Sequence, residues 1–471
     1  MRAPRPRSSP ESTERGAVLV LVLLILAAVT AVALSLAREA RVEVAVARAR
    51  ADEVRLRSLI DSAVQRALAE LRNDEEPGDD LFAPWRDDEA RFRGVEHDGG
   101  RYWLVFGEPD PGDGRELRYG IRDEGSKLDV NVATREQLLA LPGVTEDAVD
   151  GILDWRDADE DASEFGAESS YYGALDPPYQ AKNAPIERLD ELLRVWGIDE
   201  AMLWGEDRNR NGLLDPGEDD GDRSFPPDDA DGVLDRGLAD YLTVFSRELN
   251  RTADGRSRLD VTQAQPDEVE ARLETAGVAA DVIQRVLQVI SGGGPGGGPG
   301  GGGAQQGGGQ QGGGQQGGVS SLGELILRAQ VEDPEQAALL LDELTTLEQD
   351  VIPGRVNVNT CPRELLLGLE LEEEEVDAIL TKRLDASVDK STPAWLLDAL
   401  TLPVFAVVVD RVTTRSSTFT VHAVALLDDR PSFRRVEVLV DRSFVPVRVL
   451  AWRDLTPLGF PLPEERGAED P

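Results

Sequence analysis

The feature that most constrains this chain is an uncharged stretch near its N-terminus. Residues 17–37 carry no charged side chain, and Arg15 and Arg38 flank them. About 20 apolar residues at 1.5 Å rise each suffice for one helical crossing of a bilayer. A secretory signal peptide has a shorter apolar core followed by a small-residue cleavage site. The segment 17–37 is therefore predicted to be a transmembrane helix.

A helical spacing of apolar residues continues beyond Arg38. It runs through Val42, Val46, Ala49, Leu56, Ile60, Ala63, Ala67 and Leu71. Asn73-Asp74 and Glu76-Pro77-Gly78 then end the pattern. Residues 17–72 are predicted to form one helix of roughly 80 Å, apolar all round in its first half and amphipathic in its second.

Composition limits the classes of function. The 471 residues include 50 basic and 90 acidic side chains, a net charge of −40, so the surface repels nucleic acid phosphates and anionic lipid headgroups. The single cysteine, Cys361, excludes an intramolecular disulfide, and His97 and His422 are the only histidines. Because the sequence contains no nucleophile elbow, Walker loop or dinucleotide fingerprint, we expect neither an enzyme nor a small-molecule substrate.

Strand-like segments lie on both sides of a long helical region. Residues 101–106 and 116–121 come before it, and residues 417–427, 432–441 and 447–452 follow it, with turn-rich segments between neighbouring members of each group. These segments predict an α+β protein in which a small antiparallel sheet packs against the long helix. Residues 123–400 would then be a large inserted α-helical domain.

The insertion contains an internal repeat. Within the segments 128–138 and 355–366, residues 128–138 fall on residues 356–366 at an offset of 228, and a weaker copy at 259–266 has an offset of 131. Each copy begins as an extended segment and then starts a helix, and Thr134 with Gln137 fits a capping box. Leu141-Pro-Gly-Val144 predicts a tight turn into a second helix, which is the helix–hairpin–helix pattern.

Many helix–hairpin–helix units bind DNA phosphates through backbone amides and nearby basic residues. Here Glu146-Asp147 follows the first hairpin, the second helix of the weaker copy starts near Asp281, and Glu370–Glu375 replaces the hairpin in the copy at 355–366. Because these carboxylates would repel phosphate, the repeats are interpreted as packing modules. Residues 292–318, almost wholly Gly, Gln and Pro, are predicted to be a flexible linker.

One loop has the spacing of a calcium site. Residues 207–218 match the twelve-position EF-hand loop, with Gly212 at the sharp turn. The predicted ligands are Asp207, Asn209, Asn211, Asp215 and Glu218, together with the carbonyl of Leu213. Hard oxygen ligands at this spacing favour Ca²⁺ over Mg²⁺. The alternative is an acidic turn that matches by chance.

Two weaker ion sites are also predicted. Asp229, Asp231 and Asp235 repeat part of the loop pattern, although Pro227 and Leu238 occupy its two ends. Asp157, Asp159, Asp161 and Glu168 form a further acidic candidate. For each set the alternative is a solvated acidic face.

Taken in order along the chain, several segments resemble the minor pseudopilin K family of type II secretion systems, also called general secretion pathway protein K. The resemblance runs from Arg15 to about Trp452. Beyond the basic leader and the long helix, the matching segments are 126–131, 141–144, 154–157, 166–168, 171–172, 178–179 and 182–183. The resemblance implies a pilin-like fold that carries the insertion, and calcium binding is known in the family.

The resemblance also implies how the chain is processed and assembled. Prepilin peptidase would cut between Gly16 and Ala17 and methylate the new N-terminus. Most pilin-like subunits carry a glutamate five residues into the mature chain, where Leu21 stands here; an apolar residue is typical of the K subunit, which has no subunit above it. The implied partners are minor pseudopilins I and J, with H as a further partner, and the major pseudopilin.

These inferences predict a single-pass protein of the bacterial inner membrane with a cytoplasmic N-terminus and a periplasmic bulk. The predicted segments are 1–16 leader, 17–37 transmembrane, 38–122 helix and first strands, 123–400 insertion with a calcium region at 207–235, 401–455 C-terminal strands and 456–471 tail. The leading function is a pseudopilus tip subunit that supports protein export. The alternatives are a membrane-anchored calcium-dependent adhesin or substrate receptor, and a DNA-uptake receptor.

Overall fold

The computed structural model describes residues 11–110, 112–115, 117–223, 225, 228, 230–292 and 319–462. The predicted linker, apart from Gly292, lies outside these residues. So do Asp229, most of the predicted leader and the last nine residues of the predicted tail.

A single long helix, α1 (Glu11–Asn73), dominates the N-terminal part. At 1.5 Å per residue it is about 95 Å long, and it ends at the Asn73-Asp74 break that the sequence predicts. By length and composition its apolar part could cross a membrane, with a mean hydropathy of 3.0 over 18 residues and no burial there. Its second half buries Leu59, Ile60 and Ala63, which confirms the amphipathic pattern.

An antiparallel sheet packs against the second half of α1. Its strands follow the order β1-β2-β14-β15-β16, and β5 also pairs with β14. The bounds are β1 Val95–His97, β2 Gly100–Leu104, β5 Arg122–Asp123, β14 Thr418–Leu427, β15 Phe433–Asp441 and β16 Arg448–Asp454. The long helix on an antiparallel sheet is therefore confirmed, including three C-terminal strands within two residues of their predicted bounds.

Both faces of this sheet are covered. On the helix side, Leu59, Ala63 and Val421 share one core, in which Trp85 packs edge-on against Phe419 with ring centroids 5.0 Å apart. Trp103 of β2 packs edge-on against Phe460 from the C-terminal segment, at 6.0 Å. The segment around Phe460 therefore packs back onto the sheet.

The insertion lies between β5 and β14 and is of mixed structure. Its helices are α3 Arg135–Leu139, α4 Glu146–Arg156, α5 Ser169–Tyr172, α6 Glu200–Trp204, α7 Leu238–Tyr241, α8 Pro266–Ala276, α9 Ala280–Ile290, α10 Leu322–Arg328, α11 Pro334–Glu343, α12 Arg363–Leu367, α13 Glu373–Arg383 and α14 Leu402–Val408. Its strands are β6 Leu128–Asp129, β7 Leu242–Thr243, β8 Arg247–Leu249, β9 Leu259–Asp260, β10 Leu344–Thr345, β11 Val351–Pro353, β12 Val356–Asn357 and β13 Val412–Thr413. Before it come α2 Glu89–Phe92, β3 Phe106–Gly107 and β4 Leu117–Arg118.

The insertion differs from a purely helical domain because short strands hold its repeats together. Residues 402–413, which the sequence assigns to the C-terminal strands, form α14 and β13, and β13 pairs with β12 of the insertion. The long C-terminal strands begin only at Thr418.

The three sequence repeats adopt the same local structure. In each copy a two-residue strand pairs in parallel with a second strand, as β6 with β7, β9 with β10 and β12 with β13. Two helices follow, α3–α4, α8–α9 and α12–α13, and the predicted Thr134–Gln137 capping box is present. Their assignment as helix–hairpin–helix units stays a prediction.

The insertion contacts the segment that follows α1. The side-chain amides of Asn357 and Asn359 donate hydrogen bonds to the carbonyl of Asp79, at 3.1 and 3.2 Å. The backbone amide of Asp79 donates to the carbonyl of Thr414 at 2.8 Å. Because Asp79 lies six residues beyond Asn73, this contact is at the end of α1 remote from its apolar half.

Candidate metal centres

The loop 207–218 brings its predicted ligands together. The two carboxylate oxygens of Asp207 accept backbone hydrogen bonds from Asn211 and Gly212 at 3.0 and 2.7 Å. Glu218 reaches back across the loop and accepts from the amides of Arg208 at 2.9 Å and Asp215 at 3.1 Å. The loop is thus closed by its first and last liganding positions, as the twelve-position pattern requires.

Local backbone chemistry explains this closure. Gly212 has φ +75°, a left-handed conformation that glycine adopts without steric cost, and Asn211 Oδ1 accepts a hydrogen bond from the amide of Leu213 at 2.8 Å. Asn209 Oδ1 is buried with no hydrogen-bond partner among the described residues. The amide oxygen of Asn209, at position 3 of the loop, is therefore available to a cation.

The electrostatics of the loop favour a bound cation. Burial, reinforced by Asp207 and Asp215, raises the pKa of Glu218 to about 7, and burial also raises the pKa of Asp207. Carboxylates held this close repel one another unless a proton or a metal ion compensates their charge. Oxygen donors at these positions fit a calcium ion.

A second loop copies the first at an offset of 20 residues. Ala230 and Gly232 have φ +56° and +80°, matching Arg210 and Gly212 at +56° and +75°. The amide of Val233 donates to Asp231 Oδ1 at 2.7 Å, as the amide of Leu213 does to Asn211. The two loops therefore share their local backbone geometry.

The second loop is completed by two residues that the sequence analysis did not identify. Asp219 Oδ1 accepts from the amide of Gly232 at 3.1 Å, as Asp207 does from Gly212. Glu206 Oε2 accepts from the amide of Asp235 at 3.1 Å, as Glu218 does from Asp215. Asp219 and Glu206 thus stand where the linear pattern has Pro227 and Leu238. They flank the first loop directly in sequence, which is the signal that could have identified them.

The third acidic candidate is formed by a different set of carboxylates from the predicted one. Carboxylate oxygens of Asp154, Asp157 and Glu168 all lie within 4.8 Å of one another. Asp159 and Asp161 are not in this group; they are exposed, and Asp159 Oδ1 accepts from the amide of Asp161 at 2.9 Å. The sequence therefore predicts Asp157 and Glu168, but it misses Asp154, which lies inside α4 rather than in the acidic loop.

Glu168 is the most informative member of this cluster. Its side chain is 2% exposed, and neither carboxylate oxygen has a hydrogen-bond partner among the described residues. Burial, with Asp154 and Asp157 nearby, raises its pKa to about 7. A buried carboxylate without a partner is costly, and a cation shared with the two aspartates would compensate it.

The predicted processing and assembly residues lie in α1. Gly16 and Ala17 are part of the helix, and Leu21 is 59% exposed. The structure brings no other predicted site residue close to them within its described part.

The comparisons with known proteins identify one domain. Residues 120–204 match the family model described as type II secretion system (T2SS), protein K. This segment contains Asp154, Asp157 and Glu168, and it ends before the loop 207–218. No curated protein matches the chain significantly.

Among solved structures, a chain in the crystal structure of the GspK-GspI-GspJ complex from the enterotoxigenic Escherichia coli type 2 secretion system matches with 13% sequence identity. The match covers 86% of this chain and 98% of that chain, with a TM-score of 0.43. The family model therefore supports the predicted resemblance over residues 120–204, which are similar to protein K of the type II secretion system.

Proposed function

We propose that this chain is a minor pseudopilin that occupies the tip of the type II secretion pseudopilus and supports assembly and protein export. The observation that carries the proposal is the place of the insertion, which contacts Asp79 at the end of α1 remote from its apolar half. Pilin-like subunits stack along their long helices. A large domain at that end would block a further subunit, which suits a tip position.

Leu21 supports the same position. The glutamate found at this place in most pilin-like subunits neutralises the terminal amine of a neighbour, and a tip subunit has no neighbour above it. An uncharged side chain also avoids placing a carboxylate in the hydrocarbon core, which is expensive.

We propose minor pseudopilins I and J as direct partners, since they accompany protein K in the solved complex. The H subunit and the major pseudopilin are further proposed partners. The proposed topology has the N-terminus in the cytoplasm, α1 across the inner membrane and the remainder in the periplasm. Prepilin peptidase would cleave after Gly16 and methylate Ala17.

We further propose that Ca²⁺ is the cofactor of the loop 207–218 and of the Asp154–Asp157–Glu168 cluster, with a second ion in the loop around Asp231. The unpartnered buried oxygens of Glu168 and Asn209 support cation binding. Both sites offer only oxygen donors, as calcium prefers. The ions would stabilise loops that otherwise hold mutually repelling carboxylates.

The tip position is tested by labelling pseudopili with an antibody against the insertion. We expect label at filament ends only, and co-purification of the full chain with I and J. Label along the whole filament would contradict the tip proposal. Membrane anchoring without cleavage after Gly16 and without co-assembly would favour the adhesin or substrate-receptor alternative, and salt-sensitive DNA binding by the chain would favour the DNA-uptake alternative.

Calcium binding is tested by calorimetry on the full chain in detergent. We expect saturable binding that is reduced in an Asp207→Ala, Glu218→Ala variant and separately in Glu168→Gln. Titrating Mg²⁺ under the same conditions checks selectivity. No calcium uptake would leave the loops as acidic turns and would not affect the pseudopilin proposal.

A further inference from the structure

A cavity of about 140 Å³ lies between the sheet and the insertion. Thr420 and His422 of β14 face it, alternating with Val421 and Ala423, which belong to the core that contains α1. Leu462, near the end of the described chain, also lines it. A water molecule occupies about 30 Å³ of liquid, so the cavity has room for a group of several heavy atoms.

The charge lining this cavity differs from that of the rest of the chain. The molecule as a whole carries a net charge of −40, yet basic side chains outnumber acidic ones around the cavity by five to four. A buried charge needs a close partner of opposite sign, because the interior solvates it poorly. The pairing of each charged group therefore decides what the cavity can hold.

The four acidic groups of the lining are already engaged, and Asp207 accepts from the backbone amides of Asn211 and Gly212. Asp240 accepts from the guanidinium groups of Arg122 and Arg236, at 3.1 and 3.0 Å. Glu124 accepts the hydroxyl groups of two threonines, each at 2.6 Å. Glu437 pairs with Arg453 at 3.2 Å.

Three basic side chains of the lining have N–H groups that do not donate to these acids. Arg435 donates to the backbone carbonyls of Asn209, at 2.6 Å, and Arg210, and its Nε is buried without a partner among the described residues. Arg122 Nε is likewise buried without a described partner. Lys127 Nζ donates to the carbonyl of Ala239 at 3.1 Å and lies 3.7 Å from Glu124, beyond hydrogen-bond distance.

The cations of the lining also act on neighbouring basic groups, although burial has the larger effect on their pKa values. Burial lowers the pKa of His422 to about 4, and Arg435, Arg122 and Lys127 lower it further, against Glu437. Burial and the charge of Arg122 also lower the pKa of Lys127, against Glu124, Asp240 and Glu437. A bound anion would relieve this excess of positive charge.

We propose that this cavity binds a small oxyanion, a carboxylate or a sulfate-like group, between Arg435, Arg122 and Lys127. Guanidinium and ammonium groups form strong charge-assisted hydrogen bonds to such oxygens. The oxyanion has two sources, a free ion in solution or the carboxylates of Glu464 and Glu465. These two residues follow the lining residue Leu462 by two and three positions, and a chain spans at most about 3.6 Å per residue.

Sulfate is the probe, added to the full chain in detergent without calcium. The midpoint of thermal unfolding is followed by tryptophan fluorescence, with sodium chloride at matched ionic strength as the salt control. We expect a saturable rise with sulfate in the millimolar range that chloride does not reproduce, because a ligand that binds only the folded state stabilises it. An equal rise with chloride would overturn the proposal.

Two variants test the place of binding. Lys127→Gln removes one cation and is expected to weaken sulfate binding at least about tenfold, as the loss of a charge-assisted hydrogen bond does. Lys182→Gln, whose ammonium pairs with Glu191 away from the cavity, is the matched control and keeps the response. Ala451→Met fills the cavity without changing its charge, and it is expected to abolish the response. An undiminished response in both cavity variants would overturn the proposal.

A Glu464→Gln, Glu465→Gln variant distinguishes the two sources of the oxyanion. If these carboxylates occupy the cavity, sulfate binds this variant more tightly than it binds the wild-type chain. If a free ion is the occupant, the sulfate affinity is the same in both. Either result requires that the cavity binds sulfate.

Discussion

At the residue scale, Glu168 carries the clearest electrostatic signal of the molecule. Its folded pKa of about 7 lies above the ordinary value of 4.5, so ionisation opposes the metal-free fold. Protonated Glu168 makes its full contribution to the free energy of unfolding below the unfolded pKa. This contribution is lost as the pH rises through about 7. A shift of this size corresponds to about 3 kcal/mol at alkaline pH.

We therefore expect Glu168→Gln to remove most of this pH dependence in calcium-free buffer. The variant should unfold at a higher temperature than the wild type at pH 8, and it should lose the calcium-induced stabilisation of this cluster. Thermal unfolding at several pH values, with chelator or calcium, measures both effects. Asp161→Asn, exposed and outside the cluster, is the control, and an identical response of the two variants would contradict the assignment.

Gly212 gives a second test at this scale. A Cβ added there would lie 2.4 Å from the Cα of Gly107, and φ is +75°. Gly221 has a similar φ of +72°, but a Cβ added to it would have no described atom within 4 Å. We expect Gly221→Ala to cost about 1 kcal/mol through backbone conformation alone.

Gly212→Ala should cost more than Gly221→Ala and should also weaken calcium binding, because the loop must move away from β3. Unfolding midpoints and calcium calorimetry on the two variants provide the comparison. Equal costs and equal calcium affinities would show that the contact between Gly107 and Gly212 has no energetic role.

Some residues of the candidate sites could be predicted from the sequence and others could not. The loop 207–218 was predictable because its ligands stand at fixed spacing in one segment. Asp154 was missed because it lies on a helix, where a carboxylate three residues before Asp157 looks like any other polar residue. Glu206 and Asp219 were missed because they complete the second loop from outside its own twelve positions.

At the scale of elements, the three repeats offer an internal comparison. Asn131, Thr262 and Asn359 occupy equivalent positions, each with its amide donating to the Asp or Asn side chain two residues earlier. Their other contacts differ. Asn359 is fully buried and bonds Asp79 O, Lys390 O and the indole of Trp395, whereas Thr262 is exposed.

We expect the cost of alanine substitution to follow these contacts. Asn359→Ala should destabilise by about 3 kcal/mol, because it leaves buried groups unpaired. Asn131→Ala, which loses two bonds to Ile186, should cost less, and Thr262→Ala should cost under about 0.5 kcal/mol. Denaturant unfolding measures the free energy of unfolding of each variant. Equal losses in the three variants would contradict the view that these positions contribute differently to stability.

Long elements were predictable from their periodicity, whereas short ones were predictable only where the repeat indicated them. α1 and the strands β14 to β16 carry enough residues for a helical or alternating pattern to stand out. The parallel pairs β6–β7, β9–β10 and β12–β13 have two residues per strand, and their second members lie outside the repeat alignment. A helix such as α14, with apolar residues throughout 402–409 apart from Pro403, is easily taken for a strand.

At the scale of the whole molecule, the protein combines a long apolar helix at one end with a large insertion at the other. The insertion is fixed to the sheet domain by buried polar contacts, among them Asn357 with Asp123 at 2.8 Å and Asn359 with the carbonyl of Asp79 at 3.2 Å. An insertion attached by such contacts cannot move aside easily. The insertion therefore occupies the distal end of the molecule, as the proposed tip position requires.

This arrangement makes residue 21 a test of the tip proposal. In an internal subunit, a glutamate at this position would gain a neighbour's terminal amine as its partner. At the tip no such amine lies above it, so Leu21→Glu would place an unpaired carboxylate in the membrane at a cost of roughly 2.5–3.5 kcal/mol.

We expect this variant to reduce pseudopilus number and secretion, whereas Leu21→Ala, which stays uncharged, should leave both close to wild type. Secretion assays and filament counts measure the effect; full activity of Leu21→Glu, together with antibody label along the filaments, would place the subunit inside the filament instead.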